Sequence, residues 1–214
     1  MGSFEGSALP DGEAEITDKR LLRGARTRES ILRHAVDLGS LEGLDNLSFG
    51  RLAAEAGLSK AGVQTLFKSK EALQLATVEY ARRMFIDAVI RPARSASPGV
   101  ARLRALLEHW TTYATAPLFA GGCFRAANLA DFDSRPGPVR DELFRQQQEW
   151  NATIAGELRH AMAVGEIAEL DAELAAFQID ALLCAANTAL RMGDDDAVDK
   201  VHRIVEGMLR PPVR

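Results

Sequence analysis

The sequence predicts an all-α fold of about nine helices, and three observations carry that expectation. Apolar residues recur every three or four positions along most of the chain. Breaks at Gly, Pro, Ser and Asp separate these stretches, and no segment alternates in the manner of a strand. Only 6% of residues are aromatic against 47% hydrophobic, so the apolar content is mostly alanine, leucine and other helix-compatible side chains.

The elements follow in order. Residues 1–24 are expected to form a disordered acidic tail, since residues 1–18 hold five acids, no Lys or Arg and little periodicity. From Thr27 the pattern is helical, with Ile31, Leu32, Ala35, Val36 and Leu38 on one face until Gly43. Ser48 caps a short helix carrying Phe49, Leu52, Ala53 and Ala56, which Gly57 stops. Ser59 caps the next, Lys60 to Phe67, with Val63, Leu66 and Phe67 as its apolar residues. Ser69 caps a longer fourth helix, and Pro92 marks its end. Five more helices are expected at 99–116, 122–132, 138–164, 171–192 and 195–209. The chain thus divides into the tail, a head over residues 25–72 and a helical body over 73–214.

Net charge is −4, but it is unevenly placed. Residues 19–70 carry ten Lys or Arg against five acids, while residues 71–214 carry sixteen against twenty. A basic head on an acidic body suits a nucleic-acid partner for the head alone. A solvated surface is the plainer meaning of such a segment, so the charge gains weight only from the motif inside it.

Other classes are disfavoured. The longest apolar stretch, Ala172 to Met192, contains Glu173, Gln178, Asp180 and Asn187, which argues against a membrane span. The first eighteen residues lack the apolar run of a secretory signal. Cys123 and Cys184 are isolated thiols in apolar surroundings, which suits a reducing cytoplasm. His34, His109, His160 and His202 have no metal partner three or four residues away among themselves, and no phosphate loop or nucleophile triad stands out. Neither catalysis, metal nor cofactor is expected.

The chemistry-bearing pattern lies between Ser48 and Phe67. Ala53 and Ala56 are small enough for two helices to cross closely, Gly57 permits a left-handed turn, and Leu58 is expected to plug the space beneath it. Ser59 answers the free amides of the following helix. Such a helix-turn-helix can lay its second helix in a DNA major groove. A buried αα-hairpin would share the spacing, but Lys60, Ala61, Gly62, Gln64 and Thr65 leave the outward face small or polar.

The stretch from Arg28-Glu29-Ser30-Ile31-Leu32 through Ser69-Lys70-Glu71-Ala72-Leu73 resembles the DNA-binding domain of the TetR/AcrR family of transcriptional regulators. The matching residues include Ile31, Ala35, Gly43, Ser48, Leu52, Ala53, Ala56-Gly57-Leu58-Ser59, Phe67 and Ser69-Lys70-Glu71. The resemblance implies that Ser48 and Thr65 bond phosphates and that Lys70 reaches another from the start of the fourth helix. Lys60, Gln64 and the backbone around Ala61 and Gly62 would face bases, with the capping Ser59 on the same surface. Arg51, Lys68 and Arg28 are further phosphate candidates. Two positions depart from the family. Gly39 replaces a usual aromatic and leaves a gap for Phe49 or Phe85 to fill. Gln64 replaces a usual tyrosine, and its amide can pair with an adenine edge instead.

In the body, Leu174, Phe177, Ala181, Cys184 and Thr188 occupy one side of the 171–192 helix, and Ile179, Leu182, Leu183, Ala186 and Leu190 cover much of the rest. Burial nearly all round is expected. The last helix aligns Val198, Val201, Ile204, Val205, Met208 and Leu209. One subunit is too small to cover both helices, and the resemblance implies a homodimer through residues 171–209. Its two heads would meet a roughly palindromic double-stranded operator. Ordinary packing within one chain is the alternative.

The resemblance also implies a small-molecule effector held among the middle helices. Candidate lining residues are His109, Trp110, Tyr113, Phe119, Cys123, Phe124, Asn128, Trp150, Ile154 and Phe177, although for any single one of them plain core is the simpler reading. Gly121-Gly122-Cys123-Phe124 through Arg135-Pro136-Gly137-Pro138-Val139-Arg140 is similar to the C-terminal domain of one subgroup. Occupancy would shift the heads through the fourth helix and release DNA. The expected function is a ligand-released repressor. An activator or ligand-independent DNA binder is the first alternative, and a helical enzyme or carrier the second.

Overall fold

Serine caps start three of the first four helices. The hydroxyl oxygens of Ser48, Ser59 and Ser69 accept from the backbone N–H of Arg51, Gly62 and Ala72, satisfying donors that a helix start leaves free. The computed structural model describes residues 11–116 and 118–212, with the backbone alone for 11–20. Among the described residues there are nine helices and no strand. They are α1 (Asp11–Glu42), α2 (Phe49–Glu55), α3 (Lys60–Phe67) and α4 (Lys70–Phe85), the last continued by a π turn (Ile86–Ile90) and a final turn (Arg91–Ala93). The body adds α5 (Val100–Thr115), α6 (Phe124–Phe132), α7 (Pro138–Ala163), α8 (Ala172–Arg191) and α9 (Ala197–Met208). A 3-10 turn, Leu44–Asn46, joins α1 to the head's second helix.

One of the expectations for these elements needs correction. Residues 11–24 are helical rather than disordered, and residues 1–10 of the expected tail lie outside the described residues. Once Ile31 to Leu38 are helical, extension toward the N-terminus needs no new nucleus. Glu13, Ala14, Glu15, Lys19, Leu21 and Leu22 are good helix formers. Leu21 and Leu22 are exposed, so packing does not hold the helix at those two residues. Helix α8 leaves bare the side that one subunit is expected to be too small to cover. Its Ala175, Ala176, Ile179, Leu183 and Ala186 are buried, but Leu174 and Phe177 are 55% and 63% exposed, with Ala181, Ala185 and Thr188 exposed beside them. Burial all round is not reached within one chain.

Pro92 cannot donate to the helical ladder, and α4 widens into its π turn just before it and ends at Ala93. In the head, Ile31, Leu32 and Val36 of α1 join Leu52 and Ala53 of α2 and Val63 and Phe67 of α3 in a buried core. Helix α4 packs on both α1 and α7, so it runs from head to body. Helix α8 lies against α7 and α9. No helix among the described residues is long and apolar enough to cross a membrane.

Candidate DNA interface and body cavity

The turn between α2 and α3 is tight because Gly57 adopts φ 65° and Leu58 N–H returns to the Ala53 carbonyl at 2.8 Å. Leu58 does not plug the space beneath; its side chain is 40% exposed, and Val63 and Phe67 fill the core from α3 instead. Lys60, Ala61, Gly62, Gln64, Thr65, Lys68 and Lys70 are all exposed, as are Ser48, Arg51 and Ser59. The ten residues singled out from the sequence therefore lie on the outside of one rigid unit.

Several of them already have partners. Arg51 makes a bidentate pair with Glu42 at 2.5 and 2.7 Å and also reaches Glu55. The hydrogen bond from Arg51 holds the Glu42 carboxyl below its ordinary pKa. Lys70 Nζ donates to the Asp45 carbonyl at 2.6 Å, Thr65 Oγ1 donates to the Ala61 carbonyl, and the Arg28 guanidinium stacks over Phe67. Gln64 and Lys60 make no side-chain hydrogen bond among the described residues.

Lys68 ends the recognition helix with φ 63° and ψ −53°, and Ser69 N–H closes onto the Phe67 carbonyl across it at 2.7 Å. This is a γ-turn of the strained kind, rare for a residue with a Cβ. Lys68→Gly relieves the strain but loses more chain entropy, and is expected to raise stability by about 0.5–1 kcal/mol. The same change removes a positive charge from the outer face, so affinity for DNA should fall while the melting temperature rises. Thermal melts and salt-matched DNA titrations of one preparation check both signs.

Head and body are joined at a second place besides α4. Gly121 N–H donates to Ser40 Oγ at 2.8 Å and Ala120 N–H to Asp37 Oδ1 at 3.2 Å. Nearby, Cys123 N–H donates to Asn187 Oδ1 of α8 at 2.8 Å. Asn128 is wholly buried; its Oδ1 accepts Leu44 N–H, and its Nδ2 donates to the Gly39 and Phe124 carbonyls. Gln74 of α4 donates to the Leu44 carbonyl. The gap left by Gly39 is filled neither by Phe49 nor by Phe85. Phe124 fills it, since a Cβ on Gly39 would stand 3.1 Å from that ring.

A cavity of about 210 Å³ lies among α4, α5, α6 and α7. Its aromatic walls are Phe85, Tyr113, Phe124 and Trp150, with Phe85 edge-on to Tyr113 at 5.3 Å and to Trp150 at 5.4 Å. Burial raises the Tyr113 phenol well above its ordinary pKa; it stays protonated, and its oxygen accepts Phe124 N–H. Arg82, Arg94, Arg125 and Glu149 supply the charge at the lining. Arg125 pairs with the buried Asp180 at 2.6 Å, and Gln147 also donates to that carboxylate. Burial opposes the Arg125 charge, but the hydrogen bonds and charge of Asp180 outweigh it and raise its pKa. Burial and Asp180 push the Cys184 thiol up to about 12, which makes it a poor nucleophile at neutral pH.

Of the expected lining residues, Tyr113, Cys123, Phe124 and Trp150 reach this cavity. Phe119 sits one layer behind, edge-on to Tyr113 and Phe124. Trp110 and Ile154 are core residues, and His109 is half-buried away from the lining. Asn128 is the strut already described, because buried backbone groups of the head need its amide. Phe177 is on the outer stripe of α8 and not in the cavity; the helix turns its alanine-rich side inward. Reasoning from sequence missed Phe85, Arg82, Arg94 and Arg125. The only available signal was apolar spacing continuing through Phe85, Ile86 and Ile90 toward Pro92.

Two family models match this chain: bacterial regulatory proteins of the tetR family over residues 31–77, and the tetracyclin repressor-like C-terminal domain over residues 99–205. The chain belongs to the TetR family. This TetR-family chain is thus a DNA-binding transcriptional regulator. It is similar to a TetR regulator from Chloroflexus aurantiacus J-10-FL at 26% identity and TM-score 0.78, over 89% of this chain and 99% of that one. A TetR-family regulator from Agrobacterium tumefaciens shares the fold at 18% identity and TM-score 0.79, over 87% and 99%. AibR, solved with isovaleryl coenzyme A and operator DNA, shares it at 21% identity and TM-score 0.71, over 87% and 100%. No curated protein matches the chain.

Proposed function

We propose that this TetR-family regulator is a repressor that binds a roughly palindromic operator as a homodimer and leaves it when a small molecule fills the body cavity. The observation that carries this reading is the double position of Phe124. Its ring walls the cavity and also fills the place beside Gly39 of α1, while Asn128 one turn later holds Gly39 and Leu44. An occupant that moves Phe124 moves the joint on which the head sits. Helix α4 supplies a parallel route, because it starts at Lys70 in the head and lines the cavity at Ala81, Phe85 and, in its π turn, Ile86. The effector must favour one head position over the other to shift the balance. AibR, solved with isovaleryl coenzyme A and operator DNA, supports the narrower point that one protein of this fold holds both a small molecule and an operator.

The exposed stripe on α8, with Ile204 of α9 also 44% exposed, is the face on which the second copy packs. The proposed activity is regulation without a catalytic step, in the cytoplasm. Within the head, Ser48, Thr65 and Lys70 hold phosphates and Lys60 and Gln64 face bases, with Arg51 oriented through Glu42 rather than free to swing. Lys70→Ala should weaken binding to every sequence and reduce the steepness of its salt dependence by about one charge. Gln64→Ala should instead change which base is preferred at one position, by about 1–3 kcal/mol. Equal losses for both variants on matched and mismatched operators would overturn these roles.

A further inference from the structure

The cavity, on the proposed reading that it is the effector site, also constrains its occupant. Its volume of about 210 Å³ exceeds the roughly 150 Å³ that accepts one benzene ring, leaving room for a few more heavy atoms. Phe85 stands nearly perpendicular to both Tyr113 and Trp150, at 82° and 84°, so the walls offer ring faces and edges to a flat guest. Charge decides the rest. Glu149 is paired with Arg82 at 2.9 Å and is shared with Arg145, and Arg125 is paired with Asp180. Arg94 has no ion pair among the described residues and is exposed at the rim, at the end of the turn that follows Pro92. One positive charge at the lining is therefore unanswered. A cation would add to it and a neutral guest would leave it as it is, whereas a single carboxylate completes it with a bidentate pair.

We infer that the effector is a small aromatic monocarboxylate, of benzoate to phenylacetate size, with its ring against Phe85 and Trp150 and its carboxylate on Arg94. The 210 Å³ matches a single ring with a short substituent, and a dianion exceeds the free charge.

The purified full chain is titrated with benzoate, phenylacetate, benzamide, benzylamine, isovalerate and isovaleryl coenzyme A, following tryptophan fluorescence and the melting temperature. Benzoate or phenylacetate should bind saturably, and benzamide about tenfold more weakly or worse. Arg94→Gln should lose about tenfold in carboxylate affinity, while Arg94→Lys, which keeps the charge but not the bidentate fork, should fall between that variant and the unchanged chain. The inference is overturned if benzamide equals benzoate, if Arg94→Gln binds unchanged, or if only the amine, isovalerate or the coenzyme A thioester binds. Operator release separates the two layers. Aromatic acids that bind without releasing DNA sustain the ligand class and defeat the effector reading. Release by another molecule, with no acid bound, does the opposite.

Discussion

Gly121→Ala is expected to lower the melting temperature by roughly 6–12 °C, which corresponds to about 3 kcal/mol for a chain of this size. A Cβ at position 121 would overlap the Ser40 carbonyl and crowd Leu41 N–H, both of them backbone atoms. Neither can turn aside as a flexible side chain would, so the head and the body must separate or the turn must rebuild. Either outcome also breaks the hydrogen bond from Gly121 N–H to Ser40 Oγ. Gly156→Ala is the matching control, because nothing lies within 4 Å of the added Cβ and the position is inside α7. That variant should gain up to about 1 kcal/mol from helix propensity. Melts at one fixed protomer concentration compare the two, since dimerisation makes the midpoint concentration-dependent. Equal midpoints for both variants would show that the joint is not tightly packed.

The second large effect is expected at Asp180. Asp180→Ala leaves the Arg125 guanidinium, itself only 12% exposed, without its partner and removes the acceptor used by Gln147. Breaking one side of a buried pair costs about 3–5 kcal/mol, mostly through the charge left behind. Replacing both, as in Arg125→Met with Asp180→Leu, should recover much of that loss. If the double variant is as unstable as the single one, the cost lies in packing and not in charge. Arg125 also lines the cavity and Asp180 sits behind the exposed stripe of α8, so the single variant should weaken both ligand binding and self-association.

What could be read from the sequence was what depends on near neighbours. Ser48, Ser59 and Ser69 are legible as caps because each acts three residues away, and the outward face of Lys60, Ala61, Gln64 and Thr65 follows from helical spacing alone. Residues that act across the chain were not legible. Asn128 resembles a pocket polar group until its partners, 84 and 89 residues distant, come to it. Arg125 inside a body wall makes sense only beside Asp180, 55 residues on. Phe177 lies on a helix apolar on more than one side, and periodicity cannot say which side meets its own chain and which a second copy. The Gly39 vacancy was visible, but the ring that fills it comes from another helix. Alanine, glutamate, lysine and leucine favour a helix within residues 11–24, even though residues 1–18 are acidic and lack an apolar face.

The most direct measurement of the central claim uses the purified protein and labelled DNA from the region upstream of its own coding sequence. At moderate salt, a specific complex of two protomers should form on that fragment and survive excess unrelated DNA, and Lys70→Ala should weaken it. Adding small-molecule extract from the producing cell, or the aromatic acids above, should then dissociate it. Absence of any specific complex on that fragment contradicts the repressor reading. A specific complex that no small molecule disturbs would keep the DNA-binding head but remove the cavity from its control.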